Sequence, residues 1–405
     1  MKNFRIIVGI FVMAVFTAFS GGCSKKLPAE TLPPQTSAPV FESILEETTD
    51  TQETTTTETT VLHGPFSTPV ITDRAVDIHG QLSVDRLDIV DAQGEKVILR
   101  GMCMDLASDD CGFINGNTIQ TLAEDWGCNV IRIKLDYSPY VNDPDNYFNA
   151  LCSAIDLCEE QGVYVIADFE FPDECNYEAV QITAVGLFSR LSAIYAESPN
   201  ILYEICSNVG AYDSEDTENS VSWSGIVRPY AEAVIDAIRE NDRDNIIIIG
   251  TPVYESPTAM ASISLIEESN LLYALNDIES IPSSTAIGIP LIRTSITELY
   301  MLDLEALEEA GISWCFCGVG PEGSFNDNLL NYSLDTLTDD EKIGGHWPDE
   351  FISTEGLALR ELIINAVTGA GEDETEPADA SDTTETTAET AEETTASTSE
   401  ETAQG

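Results

Sequence analysis

Gly162-Val163-Tyr164-Val165-Ile166-Ala167-Asp168-Phe169 is a short β-branched and aromatic run that carries a single carboxylate near its end. Continuous apolarity over so few residues suits a strand covered on both faces. The segment before it, Tyr147–Gln161, has the apolar spacing of an amphipathic helix, and Ala179–Glu197 behind it has the same. Working outward, strand-like runs recur at Val97–Gly101, Asn129–Leu135, Ile201–Cys206, Asn245–Gly250, Leu271–Leu275, Pro290–Ser295 and Gly311–Phe316. Helix-like stretches, among them Val227–Asn241 and Leu302–Ala310, fall between them. Eight strands alternating with helices predict an α/β fold: a single (β/α)8 TIM barrel. Residues 76–92 predict a short N-terminal β-hairpin closing the bottom of the barrel.

The 405 residues are not all foldable. Residues 23–70 and 371–405 are dominated by Thr, Glu, Ser, Pro and Ala. Too little apolar surface is present there to offset chain entropy, so both segments read as disordered, with the barrel at 71–370. At the N-terminus, Lys2 and Arg5 precede an apolar run from Ile6 to Phe19, then Ser20-Gly21-Gly22-Cys23. This is the pattern of a lipoprotein signal over residues 1–22, with Cys23 as the lipidated residue. The expected location is the outer face of a bacterial cell membrane, reached only through that anchor.

Seventy-two acidic residues against seventeen basic ones give a formal charge of −55. Such a surface repels phosphate backbones, which excludes nucleic acid as a partner. A neutral polysaccharide is not repelled. Nine cysteines remain besides Cys23, without a C-x-x-C pair or a histidine at zinc-site spacing. Mostly free, buried thiols with at most one disulfide are expected, and neither a metal nor a cofactor is called for. The domain reads as a monomer.

Several motifs resemble those of glycoside hydrolase family 5, the cellulase or endoglucanase family. They include Leu99-Arg100-Gly101-Met102, Asp125-Trp126-Gly127-Cys128-Asn129-Val130-Ile131-Arg132, Pro199-Asn200-Ile201-Leu202-Tyr203-Glu204-Ile205 and Asn245-Ile246-Ile247-Ile248-Ile249-Gly250-Thr251. Their order and spacing span the whole foldable region. The resemblance implies a retaining β-glucan hydrolase with a glutamate acid/base after strand 4 and a glutamate nucleophile on strand 7. Here Asn208 stands at the acid/base position and Ser295 at the nucleophile position. Ser207 replaces the sugar-gripping Asn, Asp105 and Glu170 replace two histidines, Asn276 replaces a third, and Phe316 replaces the second Trp of strand 8. Tyr254 stands at a family Trp position. Arg132 and Trp314 are retained.

Strict alternation along the strands then predicts what fills the interior. Arg132, Lys134, Asp136, Asp168, Glu170, Glu204, Cys206, Asn208, Arg293 and Ser295 should point inward, with Cys315 and Cys317 outward. A mixed-charge interior is tolerated only when its charges are paired, so a salt-bridge network is expected in place of the family's catalytic pair. Trp223, Tyr212, Tyr137 and Trp347 are further candidates for stacking on a sugar. Three functions remain open: a catalytically inactive surface lipoprotein that binds a β-glucan-type polysaccharide, an active glycosyl hydrolase using relocated carboxylates such as Glu170 and Glu204, and an envelope protein-interaction scaffold.

Overall fold

A computed structural model describes residues 71–107, 112–172, 176–210, 221–252, 257, 264–298, 301–319, 329–330 and 344–369. The expected signal segment, Cys23, linker and acidic tail lie outside the described residues, as do Tyr212, Tyr254, Cys111 and Cys175.

The chain enters through a single helical turn, α1 (Ala75–His79), and a two-stranded antiparallel hairpin, β1 (Ser83–Asp85) and β2 (Asp88–Val90). The predicted hairpin is therefore present, preceded by a helix. Eight parallel strands follow: β3 (Arg100–Asp105), β4 (Val130–Asp136), β5 (Tyr164–Glu170), β6 (Ile201–Ser207), β7 (Ile247–Ile249), β8 (Leu271–Ala274), β9 (Leu291–Ile296) and β10 (Ser313–Cys317). They form a closed barrel in which β10 pairs with β3. All eight predicted strands are present. The first begins later than expected because Val97 bonds to the hairpin at Ile89 and Leu99 to Ser313 Oγ.

The longer helices are α2 (Gly116–Glu124), α3 (Tyr137–Asn142), α4 (Pro144–Gln161), α5 (Tyr177–Tyr195), α6 (Arg228–Arg239), α7 (Ile281–Ala286), α8 (Met301–Ala310) and α9 (Thr354–Thr368). Their ends follow local chemistry. Asn115, Asn176 and Ser353 cap α2, α5 and α9 by accepting amide hydrogen bonds. Pro144 starts α4, and Gly162 ends it in the left-handed conformation at φ 69°.

Two apolar layers result. One lies inside the lower barrel, where Leu99, Val130, Tyr164, Ile166, Leu202 and Cys315 meet the hairpin residues Leu82 and Ile89. The other fills the space between strands and helices and contains Trp126, Phe169, Tyr203, Trp314 and Phe316. Polar side chains are left to occupy the upper interior.

Two irregularities decide which side chains reach that upper interior. Asp168 pairs with Glu204, and Glu170 with Ser207, so Ile205 and Cys206 together oppose Phe169 alone. Trp314 pairs with Arg293, and Phe316 with Ile296, so Thr294 and Ser295 together oppose Cys315. Each is a bulge, which breaks the two-residue alternation of side chains.

Gly101 on β3 faces β4 at a point where no side chain fits. A Cβ there would lie 1.7 Å from the carbonyl oxygen of Val130. The neighbour is backbone and cannot swing aside. Gly101→Ala is expected to cost more than about 4 kcal/mol, read as a collapse of the thermal or urea midpoint.

Candidate functional site

The upper interior holds two tiers of charge. In the lower tier Arg132, from β4, is completely enclosed. Its Nε donates to Glu204 Oε2 at 2.6 Å and its Nη2 lies 2.8 Å from Asp168 Oδ2. Its Nη1 donates to Cys103 Sγ at 3.1 Å. Thr294 Oγ1 donates to Glu204 Oε1 at 2.6 Å, and Ser207 Oγ donates to Asp168 Oδ2 at 2.9 Å. One guanidinium thus organises side chains from five strands.

Burial alone would pull the Arg132 pKa down, but Asp168 and Glu204 outweigh it and hold the guanidinium firmly charged. Asp168 is raised well above the usual carboxylate range. Burial is the main cause, Arg132 opposes it, and Glu204 and Glu170 add to it. Asp168 Oδ1 receives no hydrogen bond among the described residues, so that oxygen gives no help in keeping the group ionised.

In the upper tier Lys134 Nζ lies 2.8 Å from Asp105 Oδ2, 3.2 Å from Asp136 Oδ1 and 3.3 Å from Glu170 Oε2. Burial lowers the Lys134 pKa, but Glu170, Asp105 and Asp136 reverse this and hold it above its ordinary value. Burial raises both Glu170 and Asp136, with Lys134 pulling the other way in each case. Asn208, at φ 54°, turns its amide nitrogen to 3.5 Å from Glu170 Oε1. The backbone thus enters the left-handed region at the residue where the β6 strand hands over to its loop.

Most of the predicted interior is therefore assembled as expected. Arg132, Asp168, Glu204 and Ser207 form one bonded cluster, and Lys134, Asp105, Glu170 and Asn208 form another directly above it. Ser295 lies at the edge, its Oγ 3.5 Å from Cys317 Sγ. Asn276 sits at the top of β8, its amide donating to Thr251 Oγ1 at 2.7 Å.

Other expectations are corrected. Phe316 points outward into the layer between barrel and helices, and Cys315 and Cys317 point inward. The reason is the register: Phe316 pairs with Met102, an outer residue, whereas Cys317 pairs with Cys103, whose thiol meets Arg132. Arg293 also points outward. It is the register partner of Trp314 and donates to the Leu275 carbonyl. Cys206 packs in the outer layer, because the β6 bulge sends it out with Ile205. Trp223 is sealed against Tyr273 with its indole donating to Ser264, and Trp347 packs on Trp126 and Phe113. Neither offers a face to a ligand. Thr294 was not anticipated, since alternation from Ser295 placed it outside.

The comparisons with known proteins agree with this fold. Residues 90–277 match the family model of Cellulase (glycosyl hydrolase family 5). Endoglucanase N of Pectobacterium atrosepticum is 31% identical over 219 residues, covering 54% of this chain and 47% of that protein. Endoglucanase A of Evansella cellulosilytica is 32% identical over 188 residues, covering 45% and 36% respectively. The chain thus spans less than half the length of these two curated relatives. Among solved structures, the catalytic domain of a Thermobifida fusca endoglucanase superposes with a TM-score of 0.61 at 21% identity, covering 72% of this chain and 99% of that domain. A Cytophaga hutchinsonii protein gives 0.62 at 23% identity, covering 75% and 100%. At these identities the superpositions speak for the fold.

Removing the central cation tests the lower tier. Arg132→Met keeps the volume but leaves Asp168 and Glu204 buried without their counter-charge, a change expected to cost about 3–5 kcal/mol at neutral pH. The raised Asp168 pKa means that the folded state keeps this proton to a higher pH than the unfolded chain does, so its contribution to stability falls as pH rises. The variant should therefore recover part of its deficit as pH is lowered toward the carboxylate range, measured by urea unfolding at a series of pH values. A deficit independent of pH would contradict the assignment.

Proposed function

Since the chain belongs to the cellulase family, glycosyl hydrolase family 5, we propose that its barrel is a non-catalytic relative that binds a β-glucan-type polysaccharide without cleaving it. The observation that carries this reading is the chemistry at the tips of β6 and β9. Retaining hydrolysis requires two carboxyls about 5–5.5 Å apart, one a proton donor and the other a nucleophile. By the family motifs, those places fall to Asn208 and Ser295. An amide has no proton to give at neutral pH, and a serine hydroxyl without a base is a poor nucleophile.

The neighbouring carboxylates supply no evident replacement. Glu204 is fully enclosed and both its oxygens are taken, one by Arg132 and the other by Thr294. Glu170 is tied to Lys134 and approached by Asn208. The strongest argument for an active hydrolase with relocated chemistry is the burial-raised Glu170, which has the character of a general acid. Among the described residues, the carboxylates beside it, Asp105 and Asp136, are themselves held by Lys134. A protein-docking scaffold is the third reading, and it predicts no affinity for glycans.

The polysaccharide itself is inferred from family membership. A superposed Thermobifida fusca endoglucanase was solved in complex with cellotetraose. The strongly negative chain suits a neutral polymer better than an anionic one. We further propose that Cys23 carries a lipid that anchors the protein at the outer face of the cell membrane.

Reducing-sugar assays on β-glucan, xylan and mannan should stay at the blank, while affinity gels containing β-glucan should slow the protein. Sustained release of reducing ends would end the non-catalytic reading. Neither release nor retardation would favour the scaffold. Asn208→Glu together with Ser295→Glu restores the family carboxyls. If the rest of the cleft is competent, this double variant should hydrolyse β-glucan measurably above the natural chain, at a rate orders of magnitude below an intact enzyme because Asp105, Glu170 and Asn276 still replace its histidines.

A further inference from the structure

The barrel closes where its last strand, β10, meets its first, β3, and at that seam Cys317 is the register partner of Cys103. Both side chains point inward and both are buried, facing each other across the seam. Arg132 Nη1 sits 3.1 Å from Cys103 Sγ, and Ser295 Oγ sits 3.5 Å from Cys317 Sγ. Neighbouring strands run about 4.8 Å apart. That spacing falls inside the roughly 4.4–6.8 Å range of Cα separations that a disulfide bridges. Cys128 and Cys158, by contrast, are held protonated by burial with no other influence on them.

We propose that Cys103 and Cys317 are a reversible modification site, oxidised by hydrogen peroxide to a disulfide that ties the first barrel strand to the last.

The pair is asymmetric in a way that suits the chemistry. The hydrogen bond from Cys103 holds Cys317 below the ordinary thiol range, against burial and with help from Arg132 and Ser295. The same hydrogen bond and burial push Cys103 up. Of the two, Cys317 is the more readily deprotonated and acts as the nucleophile. Its sulfur attacks one peroxide oxygen, the O–O bond breaks, and a sulfenic acid forms with release of hydroxide. Cys103 sulfur then attacks Cys317 sulfur. The S–S bond forms, the S–O bond breaks, and the departing hydroxide takes the Cys103 proton as water. In sum, two thiols and one peroxide give one disulfide and two waters; the sulfurs lose two electrons and the peroxide gains them. Peroxide is close to water in size, which matters for a pair this enclosed. Arg132, bonded to Cys103, also lowers the Cys317 pKa by its charge and so favours the thiolate.

Direct linkage of the sulfurs asks the two β-carbons to move closer than flat parallel strands hold them, which makes the bond readily reduced again. The linkage also encloses a loop of more than half the chain, so the oxidised protein should resist unfolding better than the reduced one.

The test uses the full chain. The reduced protein is treated with hydrogen peroxide, denatured in N-ethylmaleimide and digested, and the peptides are sequenced by mass spectrometry. The expected result is a Cys103–Cys317 cross-linked peptide that disappears after dithiothreitol. A rise of several degrees in the thermal midpoint should accompany it and be absent in Cys103→Ser. Maleimide on both thiols, over-oxidised sulfur without a link, or linkage of either residue to another cysteine would overturn the proposal. The peptide readout is made on the natural chain, so it stands even where the serine variant folds poorly.

Discussion

One enclosed guanidinium fixes the upper half of this barrel. Arg132 reaches across the interior from β4 to Asp168 on β5 and Glu204 on β6, and it touches the Cys103 thiol on β3. Removing a charge from water costs several kcal/mol unless its partners return that energy, so the strands must hold those partners at hydrogen-bonding distance. The geometry of four adjacent strands is thereby tied to one side chain. Arginine suits the place because its planar fork offers donors in several fixed directions, which a lysine ammonium does not.

The two tiers divide the labour. The lower tier is fully buried and tightly bonded, with Glu204 satisfied on both oxygens. The upper tier around Lys134 is partly exposed and carries more negative charge than its single ammonium balances. Burial raises Glu170 and Asp136, so the upper tier relieves its own repulsion by holding protons more readily than free carboxylates do. Bringing an anionic ligand onto such a rim would add repulsion, whereas a neutral hydroxylated chain finds carboxylate acceptors and an amide donor. That electrostatic asymmetry is the physical basis for favouring a neutral glycan over a charged one.

The fold was legible because strand and helix periods differ plainly in runs such as Val163–Phe169 and Tyr147–Gln161, and short buried strands leave little choice of arrangement. The salt-bridge partners were legible too, since Arg132, Lys134, Asp168, Glu170 and Glu204 lie two apart on their strands or on facing ones. What failed was parity beyond an irregularity. Cys206 and Thr294 were misplaced because each sits in a bulge that a sequence does not announce. Phe316 was misplaced for a different reason: the family resemblance assigned an inward role to a ring, and Cys315 and Cys317 were then faced outward by alternation. The corrective signal lay in β3. Met102 and Cys103 differ sharply in size, and the roomier layer beside the helices takes the larger side chains, Met102 together with Phe316.

That reversal changes what occupies the mouth. An aromatic ring at the top of β10 would present a flat apolar face for a sugar; a cysteine presents none. The inner wall at the seam is instead a thiol pair, a guanidinium and a hydroxyl, all satisfied by one another. A ligand that entered this far would have to displace bonds already made, without gaining a stacking surface in return. Under the proposed function, a glycan would draw its affinity from the rim, through Lys134, Glu170 and Asn208. The depth of the interior serves cohesion of the barrel, through the Arg132 ion pairs and their hydrogen bonds.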